Sequence, residues 1–579
     1  MKLNLLKGSR SRILAGLVFV IAAVFIGRLF YVQIIQHSYY TDLAQAEQVK
    51  RELLPAQRGE IYAFNGDQPV KLVLNETVYT VFADPAIITD VDETAKVLKE
   101  IAGGNVRENF EELLAQTKTR YQVIATRVTR TQAEKIKEHD LTGIGFTAVT
   151  QRVYPEGQLG SQLLGFVNAE GVGNYGVEGY MNEALKGVDG RLETVTDVSD
   201  VPLTIGDRNV REQAQDGDDV VLTIDRNIQA KVEEALTSGA ERTGADAASA
   251  VVMDPDTGRV LAMANLPDYN PAEYYKVEDI ALFNNAVVST PYEPGSVLKT
   301  YTLATGLDKN AIRPDTTFTN TDRIVIGQWT IQNYTKGITG NITIQTALEW
   351  SLNTGFVTIG QRLGDGSSIN QGARTTMYEY FHDRLGLGQL TGIQLANEAP
   401  GTLASPDSTE GNEVKYANIT FGQGMNATML QVVTGFSAIV NGGNFYTPTI
   451  ISGTMVDGEY KADDQAAPVR TGVVSAETSA TVRAMMEEAR SKAFAAQDKP
   501  GYSIGGKTGT AQVAVPGGYS DTETIGSYLG YGGTDTPEYV IMVAVSGKDK
   551  TFGGASDAMP IFTDISNWMI DYLKIQPKG

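Results

Sequence analysis

Two kinds of hydrophobic pattern divide this chain. Near the N-terminus, Ile13 to Gly27 is an uncharged, mostly aliphatic run, and after Arg28 the apolar character resumes through Leu29-Phe30-Tyr31-Val32 to Ile35. As one helix that span is roughly 34 Å long, enough to cross a bilayer. Beyond Ile35 the apolar residues come in shorter, periodic groups. Asp92 to Ala102, Thr131 to His139 and Asn227 to Ser238 read as helices. Ala250 to Met253 and Val260 to Met263 read as two strands joined through Asp256-Thr257-Gly258, a hairpin signal. Tyr539 to Val545 adds a strand and Ile561 to Leu573 a closing amphipathic helix. This order predicts an α+β multidomain chain: an N-terminal membrane helix, a β-rich middle part, and a last domain with an antiparallel sheet between helices.

Charge orients the first segment. Lys2, Lys7, Arg10 and Arg12 precede the apolar run, so the positive flank predicts a cytoplasmic tail (1–12), a single-pass anchor (13–35) and an extracytoplasmic remainder. A cleaved signal peptide is the rival reading, because the uninterrupted run is short. No Ala-x-Ala site follows it, and Arg28 can snorkel to the outer interface. Further on, Gln215-Asp216-Gly217-Asp218-Asp219 is a polar break before Val220-Val221-Leu222-Thr223-Ile224. It separates residues 36–216, which hold no catalytic constellation, from a larger domain, 217–579.

Composition then excludes several functions. A net charge of −21 argues against nucleic acid as a partner. There is no cysteine, hence neither a disulfide nor thiol chemistry. His37, His139 and His382 are the only histidines, too few for a histidine triad or a histidine zinc site, and no His-Glu-x-x-His string occurs. His37 falls at the membrane interface, and the other two read as surface or packing residues. No metal and no cofactor is implied.

The chemistry resides in three fragments. Ser296-Val297-Leu298-Lys299 follows Pro294-Gly295. If this run opens a helix, Lys299 at i+3 shares a face with Ser296. A serine nucleophile at a helix start also lies beside free backbone N–H groups suited to an oxyanion. Burial next to a second cation would lower the lysine's pKa and free its lone pair. Lys507 in Gly505-Gly506-Lys507-Thr508-Gly509-Thr510 is the candidate second cation, and Lys507, Thr508 and Thr510 could hold a carboxylate. The middle fragment is spelled twice. Ser351-Leu352-Asn353 follows the helical segment Ile344 to Trp350, whereas Ser368-Ile369-Asn370 sits in a polar, glycine-flanked loop. A catalytic hydroxyl and amide must be held firmly, which favours Ser351 and Asn353.

Ser-x-x-Lys, Ser-x-Asn and Lys-Thr-Gly in this order are the serine site of penicillin-binding proteins and class A β-lactamases. From the anchor nearly to the C-terminus the chain resembles the class B penicillin-binding proteins, the monofunctional peptidoglycan D,D-transpeptidases of cell division and cell-shape elongation. Arg58-Gly59-Glu60-Ile61 with Asn65-Gly66 is similar to a signature of that family's membrane-proximal domain, although Ala63-Phe64 stand where the family usually has Asp-Arg. Tyr154-Pro155-Glu156-Gly157, Leu164-Gly165-Phe166 and Gly176-Val177-Glu178 resemble later landmarks of that domain. Leu222-Thr223-Ile224-Asp225, Gln229, Asp254 to Gly258, Phe421-Gly422-Gln423-Gly424 and Asn441-Gly442-Gly443 resemble landmarks of the transpeptidase domain.

The resemblance implies a pedestal or dimerisation-type domain over 36–216 and a penicillin-binding transpeptidase domain over 217–579. It also implies a division of labour. Ser296 attacks the penultimate D-alanine carbonyl of a stem peptide, Lys299 is the base, and Ser351 relays the proton. Asn353 hydrogen-bonds the stem-peptide backbone or Lys299. The N–H groups of Ser296 and Thr510 form the oxyanion hole, and Lys507, Thr508, Gly509 and Thr510 bind the substrate. The acyl-enzyme then goes to an acceptor amine. β-Lactams, the membrane, a glycan-polymerising membrane protein and division or elongation proteins are the implied partners. The remaining alternatives are a D,D-carboxypeptidase and an inactive β-lactam-binding scaffold or sensor. A class A β-lactamase needs a Glu-x-x-Leu-Asn string after its Ser-x-Asn; here Glu349 to Asn353 coincides with that element and cannot serve.

Overall fold

The apolar patterns become elements in the computed structural model, which describes residues 10–40, 49–195, 210–464, 467–515 and 518–578. Two units are distinguished, Met1–Arg58 with Gly187–Gly217, and Gly59–Lys186 with Asp218–Gly579. In the first, Arg10–Phe30 is an α-helix continued by a π-helical turn over Tyr31–Ile35. The most apolar stretch within residues 12–35 has a mean hydropathy of 2.6, and none of it is buried by protein. A helix that is apolar all round and uncovered is what a bilayer accepts. Arg28 lies over the ring of Tyr31 at 5.6 Å, near the C-terminal end of the span. Lys2 and Lys7 fall outside the described residues. The rest of this unit is a three-stranded antiparallel sheet of Val49–Leu54, Gly190–Val195 and Val210–Glu212, in that order.

The second unit holds two large sheets. One has seven strands, in the order Glu459–Ala462, Ile451–Val456, Asp219–Asp225, Ile61–Asn65, Gln68–Ala83 and Gln122–Thr129, with Ile144–Val153 also paired to Gln68–Ala83. Its one parallel ladder joins Ile61–Asn65 to Asp219–Asp225. The strand just after the polar break therefore pairs with the segment before it, and Val220 to Asp225 are buried as a double-faced strand requires. Helices Val91–Ala102 and Arg130–Glu138 cover the far end of this sheet over a core that includes Val81, Leu98, Ile124 and Ile136.

The family landmarks prove to be structural joints. Asp225 caps helix Arg226–Thr243 by accepting from the N–H groups of Asn227 and Ile228. The Gln229 amide exchanges two hydrogen bonds with the backbone of Met263. Glu178 and Arg152 form a buried ion pair at 2.7 Å, and Arg152 also donates to the carbonyl of Gly59. At Ala63-Phe64 an apolar joint stands where the family pattern has Asp-Arg. Phe64 meets Tyr460 edge-on at 5.6 Å, with the Arg259 guanidinium over its ring at 5.5 Å.

The second sheet positions the chemistry. Its five strands are antiparallel, in the order Val260–Leu266, Ala247–Met253, Pro537–Ser546, Gly518–Gly533 and Ser503–Val515. Helices Arg226–Thr243 and Met559–Tyr572 pack on one face around Ile228, Val252, Ile541 and Phe562. The other face packs Lys299–Asp308, Met429–Val440 and Ala476–Phe494 around Val251, Tyr301, Val433 and Met542. The predicted antiparallel sheet between helices is present. Ser503–Val515 is its edge strand, and the face carrying the helices borders it.

Candidate active site

Proline and glycine shape the turn that presents Ser296. Gly295 has φ +63°, a region favouring glycine, and its N–H donates to the carbonyl of Gly422 at 3.0 Å. A Cβ on Gly422 would come within 1.9 Å of the Gly295 carbonyl oxygen, so Phe421-Gly422-Gln423-Gly424 is the bed on which the turn lies. Gly295–Leu298 then form a 3-10 turn that runs into the α-helix Lys299–Asp308. Ser296 is half-buried, and among the described residues nothing is hydrogen-bonded to its Oγ. Lys299 opens the helix and is wholly buried.

The other two fragments converge on that lysine. Lys299 Nζ donates to the backbone oxygen of Ser351 at 2.7 Å and to Asn353 Oδ1 at 2.8 Å, and lies 3.1 Å from Ser351 Oγ. Lys507 Nζ, on the edge strand, donates to the same Ser351 Oγ at 2.8 Å, and to Thr508 O and Oγ1 at 3.0 and 3.2 Å. Ser351 thus bridges two lysines. It holds φ +53°, a left-handed conformation that costs a non-glycine residue of order 1 kcal/mol or more. The strain turns its carbonyl and hydroxyl to the same amine.

Electrostatics follow from burial. Desolvation, then the nearby charge of Lys507, push the Lys299 ammonium well below the ordinary lysine range. Desolvation brings Lys507 down to about 7. Among the described residues neither lysine has a carboxylate partner. Asn353 Oδ1 accepts from Lys299, and Asn353 Nδ2 donates to the carbonyl of Gln332 at 2.9 Å. Thr508 is half-buried and Thr510 exposed along the edge strand, while Gly509, between them, is buried against Ser527 and Val297.

The second Ser-x-Asn is elsewhere in the fold. Asp365 accepts hydrogen bonds from the N–H groups and hydroxyls of both Ser367 and Ser368, which hold its carboxyl below the usual range. Asn370 caps the helix Gln371–Tyr378 by accepting from Ala373 N–H. Glu349 is paired with Lys492 at 2.6 Å and held by Gln345. His382 stacks on Tyr378 and faces Asp383, and His139 ends a surface helix.

Family models place this geometry. One for the penicillin binding protein transpeptidase domain matches residues 248–567, more than half of the chain. Another for the penicillin-binding protein dimerisation domain matches residues 53–222. The chain belongs to the class B penicillin-binding proteins. It is 30% identical to stage V sporulation protein D of Bacillus subtilis, over 98% of this chain and 87% of that protein. A peptidoglycan D,D-transpeptidase FtsI homolog of Mesostigma viride is 28% identical over 96% of this chain and 94% of its own. The structure of penicillin binding protein 3 from Mycobacterium tuberculosis complexed with aztreonam superposes with a TM-score of 0.66 at 26% identity, covering 91% of this chain and 98% of that one.

Residues that the sequence pattern did not single out also border this site. Glu293, three positions before Ser296, accepts from Gly424 N–H at 2.9 Å and from the Tyr519 hydroxyl at 3.2 Å. A charge directly before Pro294-Gly295 was the available signal. Gln332 contributes only a carbonyl oxygen, which no side-chain pattern announces.

Proposed function

We propose that this enzyme is a peptidoglycan D,D-transpeptidase that cross-links stem peptides through a Ser296 acyl-enzyme. The observation carrying the reading is the pair of buried lysines sharing Ser351 Oγ at 3.1 and 2.8 Å. A neutral amine has two N–H donors and one lone pair. In Lys299 the Ser351 and Asn353 oxygens engage the donors, so the lone pair is left for a hydroxyl proton. Lys299 takes the proton of Ser296 as its oxygen attacks the penultimate D-alanine carbonyl. The N–H groups of Ser296 and Thr510 hold the oxyanion. Once Lys299 is protonated, Ser351 Oγ accepts from it and from Lys507 and so can pass its own proton to the departing D-alanine, which makes it the relay. Charged Lys507, Thr508 and Thr510 bind the terminal carboxylate against the strand edge beside Gly509. An amine of a neighbouring stem peptide then displaces Ser296 and closes the cross-link.

The same site takes β-lactams, which present a strained amide and a carboxylate in the places of the scissile bond and the terminus. The apolar helix, with basic residues before it, supports a cytoplasmic tail (1–12), an anchor (13–35) and an extracytoplasmic pedestal (36–216) and transpeptidase domain (217–579). A glycan-polymerising membrane protein is the natural companion, since cross-linking consumes new strands.

Fluorescent penicillin should label the chain covalently, and Ser296→Ala should abolish labelling. Persistent labelling of the variant would overturn the nucleophile. Pentapeptide substrate with a polymerase partner should yield cross-linked dimers; release of D-alanine without any cross-link would make the enzyme a carboxypeptidase.

A further inference from the structure

The helix that presents Asn353 cannot cap itself. Asn353–Arg362 begins after Leu352, which stands at the N-cap position and has no side-chain oxygen to offer the first turn. The missing acceptor comes from a separate segment, the two hairpin-like pairs of residues 317–343. Asn333, just beyond strand Trp329–Gln332, accepts from the N–H of Thr354 at 3.0 Å through Oδ1. The Thr354 hydroxyl lies 2.8 Å from Asn320 Oδ1 and 3.0 Å from Asn333 Oδ1, its single proton between two acceptors. Asn333 Nδ2 closes the triangle by donating to Asn320 Oδ1 at 3.2 Å. Asn320, Asn333 and Thr354 are exposed by only 1, 2 and 3%. Asn320 Nδ2 is fixed in turn on the carbonyl of Ile338.

A buried polar group left without a partner is costly, so a closed triangle of this kind has one favourable arrangement. The adjacent residue shows what that arrangement serves. Asn353 precedes Thr354, is tied to the same segment through Gln332 O, and turns its Oδ1 to Lys299.

We propose that Thr354, held by Asn320 and Asn333, is a positioning residue for acylation, fixing the helix start from which Asn353 engages Lys299. The proposal rests on the reading of Lys299 as the base. The Asn353 carbonyl oxygen accepts from Lys299 and favours its charged form. If it swings away, Lys299 loses a partner of that form, so its pKa falls further while the geometry for proton transfer loosens.

The test uses the full-length enzyme in detergent and measures the second-order rate of penicillin acylation against pH. Thr354→Val keeps the shape and removes the hydroxyl. It should acylate about tenfold more slowly on the plateau, with the acid limb of the profile moved to lower pH. Thr354→Ser restores the hydroxyl and should lie within twofold of the parent, with the limb in place. Should Thr354→Val not accumulate folded, Thr354→Ala serves with the same expectation. An unchanged rate and limb in the hydroxyl-lacking variant overturns the proposal, as does an equal loss in Thr354→Ser. If the parent itself is not acylated at Ser296, the functional reading fails first, which keeps the two failures distinguishable.

Discussion

Ser351-Leu352-Asn353 and Ser368-Ile369-Asn370 share the Ser-x-Asn spelling and lie 17 residues apart, yet their surroundings are opposite. In the first, Ser351 is forced into a positive φ and placed between two buried lysines. In the second, Ser368 relaxes onto the exposed carboxylate of Asp365, and Asn370 starts a helix. One site stores strain and desolvated charge; the other satisfies its local hydrogen bonds at once. The lesson is that the motif lies less in the letters than in what surrounds them: Ser-x-Asn becomes chemistry only where burial denies it an easy partner.

The largest break in this comparison should come from removing the two hydroxyls in turn. Ser351→Ala should slow penicillin acylation about 10²–10⁴-fold, the usual range for a proton-transfer group. Ser368→Ala should change it less than twofold. Stopped-flow acylation kinetics on both variants check the pair, and comparable losses in the two would erase the distinction.

A second contrast concerns pH. Lys507, at about 7 in the free enzyme, must be charged to hold a carboxylate, so acylation efficiency should fall as pH rises through about 7. The Asp365 loop has nothing that titrates there. Stability carries the same signature with a definite sign. Unfolded, Lys507 keeps the ordinary lysine pKa near 10.4, so between about 7 and 10 the unfolded chain binds more protons and the parent gains stability as pH rises. Lys507→Met lacks this cost, hence its stability advantage over the parent should shrink steadily from pH 7 to 9.5. Thermal melts of both proteins across that range give the answer, and a constant difference would place Lys507 in water.

The smallest effect sharpens the other side. Asn370→Ala should cost about 1 kcal/mol as a lost helix cap, seen as a drop of a few degrees in melting temperature, with labelling of Ser296 unchanged. A labelling defect without destabilisation would mean that the second Ser-x-Asn reaches the site after all.

The elements with strong periodicity were legible because local rules and tertiary demands agree there. The hairpin through Asp256-Thr257-Gly258, the strand around Tyr539 to Val545 and the helix predicted over Asn227 to Ser238, observed as Arg226–Thr243, all appear where the pattern put them. A breaker-free helix before it also favoured Ser351 over Ser368, and it is Ser351 that lies between the two lysines. The pairing of Asp219–Asp225 with Ile61–Asn65 was not legible, because a buried strand advertises its hydrophobicity but not its neighbour. Nor was the tie between Asn353 and Gln332 O, as backbone carbonyls have no letter of their own.

The chain's own pattern carried the apolar span, several of the strands and helices, and the three fragments proposed for the chemistry. Those depend on spacing and side-chain type, which are local. Tertiary structure alone decided that Lys299 and Lys507 are both stripped of water, that one hydroxyl bridges them, and that the Asn353 helix takes its cap from residues twenty positions earlier. Such facts depend on which distant surfaces close over a group, and a lysine becomes a base only when that closure removes its water.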